Sequence, residues 1–231
     1  MARQTIILLH GALGSSSQLD NLKMHLSGIF DVFSFTFSGH GGLPQEESFN
    51  IKQFARELNE FMEANHISTS HFFGYSMGGY VALEFALSYP EKTGKIITLG
   101  TKFNWTPESA AAEIRQLDPG KIEAKVPAFA QMLAAIHGTG SWKKVVTSTA
   151  DMMHALGNGA AIPISKLADI QREVLLLLAE NDRMVTLEET QAAQNSLPNA
   201  TLLRVPGATH PIETADPVQL SATVNQFLTE M

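Results

Sequence analysis

Short apolar runs alternate along the chain with longer stretches of helical pattern, and this alternation constrains the fold more than any other feature. β-Branched and aromatic residues dominate the runs, which lie at residues 5–9, 32–37, 71–73, 95–99, 174–178 and 201–205. Continuous apolar runs of this length are typical of strands that are buried on both faces of a sheet. Since helical stretches separate most of them, the sequence predicts an α/β fold with a mostly parallel sheet of about six strands flanked by helices.

Capping patterns mark where three of the helices begin. Asn50 and Gln53 resemble a capping box at the start of one helix, and Thr186 with Glu189 forms a full one. The Asp-Pro pair at 216–217 combines an N-cap residue with a first-turn proline at the start of the last helix.

One segment interrupts the alternation. Between Thr101 and Ser165 there is no strand-like run, and an Ala- and Met-rich composition is punctuated by prolines. We expect a helical cap at residues 101–165, inserted into a core built from residues 1–100 and 166–231. Most aromatic and Met side chains of the cap should pack against the sheet edge, and a minority should line a pocket.

Charge and composition exclude several classes of protein. The net charge of -7 and the lack of a basic run argue against nucleic-acid binding. No apolar stretch approaches the roughly 18 residues of a membrane helix, so we expect no membrane span and a cytoplasmic protein. The chain has 0 Cys, which excludes disulfides, zinc-thiolate sites and a thiol nucleophile.

The pentapeptide GYSMG at residues 74–78 fits the pattern G-x-S-x-G. It lies between an expected strand and an expected helix, where such a serine occupies a strained turn that exposes its hydroxyl above the sheet. The flanking glycines are needed there because side chains would collide with the strand and the helix. Ser76 is therefore a candidate nucleophile.

Three further features point to the same edge of the sheet. The loop HGALG at residues 10–14 follows the first strand and can direct backbone N–H groups at an oxyanion, with a second donor from Met77. Asp182 and His210 each come just after one of the last two strands. Because the carboxyl ends of parallel strands meet at one edge, we expect Ser76, Asp182 and His210 to lie close together.

With these motifs in the order HGALG, GYSMGG, ENDRMV and GATH, the chain resembles the small esterase-like members of the α/β-hydrolase fold superfamily that carry a helical cap. The resemblance covers almost the whole chain. It implies that Ser76 is the nucleophile, His210 the general base and acid, and Asp182 the residue that orients the histidine. The main-chain N–H groups of Ala12 and Met77 would form the oxyanion hole.

The sequence departs from the family pattern in two places. Thr36 stands where relatives commonly carry an Asp three residues before the GHG loop. Only four residues precede Thr5, so we expect the fold without its usual N-terminal hairpin, which leaves the strand at residues 32–37 outermost. An apolar edge strand favours pairing with another chain, and a homodimer is therefore an expectation.

Other polar residues have simpler interpretations. His10 and His40 lack partners at metal-ligand spacing and are expected to form hydrogen bonds within loops. Asp151 and Asp169 are alternatives to Asp182, although neither follows an expected strand. Four other histidines are expected to be structural: His66, His71, His137 and His154.

Together these observations predict a serine hydrolase that cleaves small carboxylic esters through an acyl-enzyme. The expected partner is a small-molecule ester, and no cofactor or metal is required. Cleavage of a C–C bond or elimination by the same triad remains an alternative, because fold and triad do not determine the substrate. A small-molecule receptor with slow turnover is a third possibility.

Overall fold

The computed structural model describes residues 3–46 and 49–230. Within them, the strands of a 6-stranded sheet are β1 (Thr5–Leu9), β2 (Asp31–Phe35), β3 (Ser70–Tyr75), β4 (Thr93–Leu99), β5 (Val174–Ala179) and β6 (Ala200–Val205). Their spatial order is β2-β1-β3-β4-β5-β6, and every neighbouring pair is parallel. The α/β fold with a sheet of six parallel strands is confirmed, and β2 lies at one edge as expected.

Strand β2 ends earlier than its apolar run suggested. Its partner β1 ends at Leu9, which pairs with Phe35, so Thr36 and Phe37 have no strand beside them. The main chain of Phe37 donates instead to His10 Nε2 at 3.2 Å, and Thr36 Oγ1 accepts the N–H of Ser16 at 3.0 Å. The strand therefore stops where the neighbouring ladder stops.

Helices cover both faces of this sheet. They are α1 (Asp20–Leu26), α2 (Ile51–Ala64), α3 (Met77–Ser88), α4 (Pro107–Ile114), α5 (Pro119–Lys125), α6 (Pro127–His137), α7 (Trp142–Ala155), α8 (Leu187–Ser196) and α9 (Pro217–Thr229). None of the helices described is long and apolar enough to cross a membrane.

The apolar core consists of two layers, one on each side of the sheet. Alternate residues of a strand point to opposite faces, so Ile6 and Leu8 pack with α1 and α9, whereas Ile7 and Leu9 pack with α2, α3 and α8. Each fully buried aliphatic side chain of this kind stabilises the fold by roughly 1.5–3 kcal/mol. The sheet is thereby fixed on both sides, and its carboxyl edge is a rigid support for a site.

The segment between β4 and β5 contains α4 to α7. Prolines begin α4, α5 and α6, so they separate successive helices rather than break one long helix. Part of the segment has its own small apolar cluster, which contains Ile122, Leu133, Trp142 and Val146. Its treatment as a separate cap at residues 101–165 remains an interpretation of the sequence.

The expected caps form with one difference. Thr186 and Glu189 make a reciprocal capping box, and Asp216 accepts the N–H groups of Val218 and Gln219. Asn50 accepts the N–H of Gln53 at 2.9 Å, but the Gln53 side chain donates to Glu57 instead of returning to Asn50. That helix therefore has a simple N-cap and not a full box.

Candidate active site

Ser76 lies in the tight turn between β3 and α3. Its φ of 50° and ψ of -113° are unusual for a residue with a side chain, which marks the backbone here as strained. The turn is held by main-chain bonds, because Ser76 N donates to Leu99 O at 2.8 Å and Ser76 O accepts from Gly79 N at 3.1 Å. A serine placed in this way projects above the carboxyl edge of the sheet.

The glycines beside Ser76 are required by close backbone contacts. A Cβ atom at Gly74 would collide with the main chain of Gly78 and Gly79 in α3, and one at Gly78 would collide with the main chain of Leu9 and His10 after β1. The collisions expected from the motif are therefore present, and the turn packs directly against the end of β1.

Asp182 and His210 form a hydrogen-bonded pair beyond β5 and β6. His210 Nδ1 lies 2.9 Å from Asp182 Oδ2. The second carboxylate oxygen, Oδ1, accepts the N–H groups of Met184 at 2.8 Å and Val185 at 3.0 Å. These bonds fix the carboxylate, and the carboxylate in turn fixes the imidazole.

The surroundings of Asp182 favour its charged form. Burial by itself raises the pKa of this carboxyl, but the hydrogen bond and charge of His210, with the two main-chain donors, outweigh burial and hold the pKa below its usual value. Asp182 is therefore an anion at neutral pH.

The two alternative aspartates do not approach His210 in this way. Asp151 is exposed on α7, and Asp169 forms an exposed ion pair with Lys166 at 3.0 Å. The structure pairs the histidine with the aspartate that directly follows a strand.

Ser76 and His210 line the same cavity, which has a volume of about 40 Å³. Ser76 Oγ forms no hydrogen bond with any other residue that the structure describes, so the hydroxyl is free to turn towards His210 or a ligand. Such contacts are often loose in a free enzyme and tighten when substrate binds. The other lining residues are mostly apolar: Ala12, Ile51, Met77, Tyr80, Lys102, Trp105, Glu113, Met152, Met153, Leu156, Met184 and Val185.

Ala12 and Met77, the two residues expected to supply oxyanion donors, both line this cavity. Ala12 lies in the loop after β1, and Met77 is the first residue of α3. Neither N–H donates to another residue among those described. The N-terminus of a helix carries a partial positive charge, so Met77 N is suited to stabilise an anion that develops near Ser76.

An ion pair in the wall of the cavity was not expected from the sequence. Lys102 Nζ lies 3.4 Å from Glu113 Oε1 and donates to Met184 O at 3.1 Å, and both charged side chains are only 15% exposed. Lys102 follows β4 at the same edge as the other site residues, which is a signal that sequence reasoning could have used. Glu113 comes from α4, and no pattern in the sequence indicated its position.

Three histidines form a buried cluster next to the site. The rings of His10 and His40 are 4.9 Å apart, and those of His40 and His137 are 5.9 Å apart. His10 and His40 bond to nearby main-chain groups, as predicted. Burial lowers the pKa of His10 to about 4, and it also lowers the pKa values of His40 and His137. All three are therefore neutral at pH 7.

Comparison with known families identifies the family of this chain. A model of the alpha/beta hydrolase fold matches residues 4–135, which is more than half of the chain. The chain belongs to the α/β-hydrolase family. The motifs HGALG and GYSMGG both lie in the matched part.

Known members of the α/β-hydrolase family resemble this chain along most of its length. It is 26% identical to the putative carbamate hydrolase RutD of Pseudomonas savastanoi pv. phaseolicola, over 96% of this chain and 93% of that protein. It is 28% identical to the 2-hydroxy-6-oxo-6-phenylhexa-2,4-dienoate hydrolase of Burkholderia cepacia, over 90% of this chain and 81% of that protein. This α/β hydrolase is therefore an enzyme that catalyses hydrolysis.

A solved structure shows the same fold. The enol-lactonase from Burkholderia xenovorans LB400 superposes with a TM-score of 0.80 over 100% of this chain and 93% of its own, at 18% identity.

In residues 3–46 and 49–230, no group of three His, Cys, Asp or Glu side chains is arranged to hold a metal ion.

Proposed function

We propose that this α/β hydrolase cleaves small carboxylic esters through an acyl-enzyme, with Ser76 as nucleophile, His210 as general base and acid, and Asp182 as the orienting residue. One observation carries the proposal. Ser76, in its strained turn, and His210, held by its 2.9 Å bond to Asp182, line the same cavity.

The hydrogen bond to Asp182 selects the tautomer of His210. An ionised carboxylate only accepts hydrogen bonds, so the hydrogen of the neutral ring lies on Nδ1, facing Asp182. The lone pair of Nε2 is then available to take the proton of Ser76 Oγ as that oxygen attacks the ester carbonyl. Asp182 also stabilises the imidazolium that results.

The main-chain donors act on the oxygen of the carbonyl. As the tetrahedral intermediate forms, its negative charge develops on this oxygen, where Ala12 N–H and Met77 N–H stabilise it. When the intermediate collapses, His210 Nε2–H gives its proton to the departing alcohol. Water, deprotonated by His210, then attacks the acyl-enzyme, and a second collapse releases the acid and restores Ser76.

The shape of the cavity supports a small and largely apolar substrate. Its volume of about 40 Å³ leaves room for a short acyl or alcohol group, and most of the side chains that line it are apolar. Each CH₂ group transferred from water to such a wall contributes about 0.8 kcal/mol, until the cavity is full. We therefore expect kcat/KM to rise from acetate towards butyrate esters and to fall for longer acyl chains.

The first test is covalent labelling. An organophosphonate should add once to the wild-type protein, as measured by intact mass, and should not add to Ser76→Ala. Ser88→Ala is a matched control, because Ser88 is an exposed serine at the other end of α3 and should label normally. Labelling that survives in Ser76→Ala would show that the nucleophile is another residue.

The relatives support a second candidate function. Since two of them are named as a carbamate hydrolase and a dienoate hydrolase, the same residues could act on a carbamate or cleave a C–C bond next to a ketone. Steady-state kcat/KM for a butyrate ester, an isosteric carbamate and a 2-hydroxy-6-oxo dienoate would rank the three. Ester cleavage should be fastest, whereas slow turnover of all three would show that the substrate belongs to another chemical class.

A further inference from the structure

His137, the last residue of α6, joins the cap segment to the loop that contains Ala12. Its side chain is almost completely buried. Nδ1 accepts the N–H of Gly41 at 3.0 Å, and Nε2 lies 3.0 Å from Leu13 O. A peptide N–H only donates and a carbonyl only accepts, so the ring is neutral with its hydrogen on Nε2.

The contact with Leu13 is adjacent to the proposed oxyanion donor. Leu13 follows Ala12 directly, and its φ of 61° is unfavourable for a residue with a side chain. A conformation of this kind persists only where surrounding contacts hold it. Gly14 N donates to Gly11 O at 3.2 Å and closes the turn around Ala12 and Leu13. Two further bonds hold the loop on either side, because Gly11 N donates to Gln18 Oε1 at 3.2 Å and Ser16 N donates to Thr36 Oγ1 at 3.0 Å. The carbonyl of Leu13 itself is held by His137.

We propose that His137 is a positioning residue that anchors the Leu13–Gly14 peptide, and with it the turn at residues 11–14, so that Ala12 N–H points at the developing oxyanion. The inference rests on the proposed function, because it assumes acyl transfer at Ser76. It assigns to a residue from the cap segment a role in the chemical step rather than in substrate binding.

Two substitutions separate the two hydrogen bonds of His137. In His137→Gln the amide nitrogen takes the place of Nε2, so the bond to Leu13 O is retained and the bond to Gly41 N is lost. In His137→Asn the amide oxygen takes the place of Nδ1, so the bond to Gly41 N is retained and Leu13 O is out of reach. His154→Phe is the control, because His154 is exposed on α7 in the same segment.

The expected result is a loss of kcat in the Asn variant alone. Loss of one oxyanion donor costs about 100- to 1,000-fold in kcat, and a displaced donor should cost about 10- to 100-fold. KM should change little. The kcat values of His137→Gln and His154→Phe should stay within about threefold of wild type. That change is smaller than the decrease in kcat expected when an oxyanion donor is displaced.

A thiono ester distinguishes positioning from a general structural effect. The C=S sulfur accepts hydrogen bonds weakly, so the oxyanion donors contribute less to its cleavage. His137→Asn should therefore lower kcat/KM for the oxygen ester at least about tenfold more than for the matching thiono ester, as expected for a displaced oxyanion donor. Equal losses for both substrates, or a larger loss of kcat in the Gln variant, would overturn the proposal.

Failure of this inference can be distinguished from failure of the proposed function. If phosphonate labelling does not depend on Ser76, the acyl-enzyme mechanism fails. If the labelling does depend on Ser76 but His137→Asn keeps wild-type kcat, only the role of His137 is wrong. Thermal unfolding of each variant, measured alongside, shows which of them are folded when assayed.

Discussion

Acid should destabilise this protein through His10, a histidine that cannot be protonated without losing a contact. The side chain is fully buried, its Nδ1–H donates to Gly11 O at 2.7 Å, and its Nε2 accepts the N–H of Phe37 at 3.2 Å. A second proton would lie on Nε2 and face the Phe37 N–H. Burial therefore lowers the pKa of His10 to about 4, against a smaller rise from its bond to Gly11.

The pKa of His10 differs between the folded and the unfolded protein, and this difference sets the sign and size of the loss of stability in acid. The pKa of His10 falls from 6.5 to about 4 on folding. Between these values the unfolded chain binds a proton that the folded chain does not, so the free energy of unfolding decreases as the pH falls. The slope is about 1.4 kcal/mol per pH unit, which gives about 2 kcal/mol between pH 7.5 and pH 5. His40 and His137 face the same cluster and add to the loss in the wild type.

Urea unfolding at pH 7.5 and at pH 5 measures this contribution. In His10→Gln the amide oxygen can still accept from Phe37, but the side chain does not titrate. The variant should therefore lose about 2 kcal/mol less than the wild type between the two pH values. His154→Gln, at an exposed position, should behave as the wild type does. Equal losses for His10→Gln and the wild type would refute the reasoning.

Four further predictions follow from the site and the sheet. Asp182→Asn should lower kcat about ten-thousand-fold while the fold is retained, because the amide favours the wrong tautomer of His210; near-normal kcat would contradict the assignment. Gly78→Ala should lower the free energy of unfolding by about 3 kcal/mol, since the Cβ of the alanine would collide with the main chain of Leu9; an unchanged Tm would count against this. Thr186→Ala should lower stability by about 1 kcal/mol through loss of the capping box, seen as a Tm lower by about 2–4 °C. The edge strand β2 should favour homodimers, and light scattering that shows only monomer at every concentration would argue against them.

Local patterns in the sequence were sufficient to predict the sheet and the turn at Ser76. Strand burial, helix caps and the glycines of GYSMGG depend on residues that are neighbours in the chain, and their geometry is set by sterics and main-chain hydrogen bonding. The pairing of Asp182 with His210 could also be predicted, because parallel strands bring their carboxyl ends to one edge. The catalytic roles of these residues remain predictions for experiment.

The sequence by itself determined the order of strands and helices, the strained serine turn and the residues that follow β5 and β6, because each of these features has a local or topological cause. Only the tertiary structure decided what surrounds them. The pairing of Lys102 with Glu113 lies within the segment between β4 and β5, whereas the contact of His137 with Leu13 joins that segment to the core across 124 positions of the chain. Contacts of this kind depend on how the inserted helices pack, which is set by the fit of many side chains together and leaves no periodic pattern in the sequence.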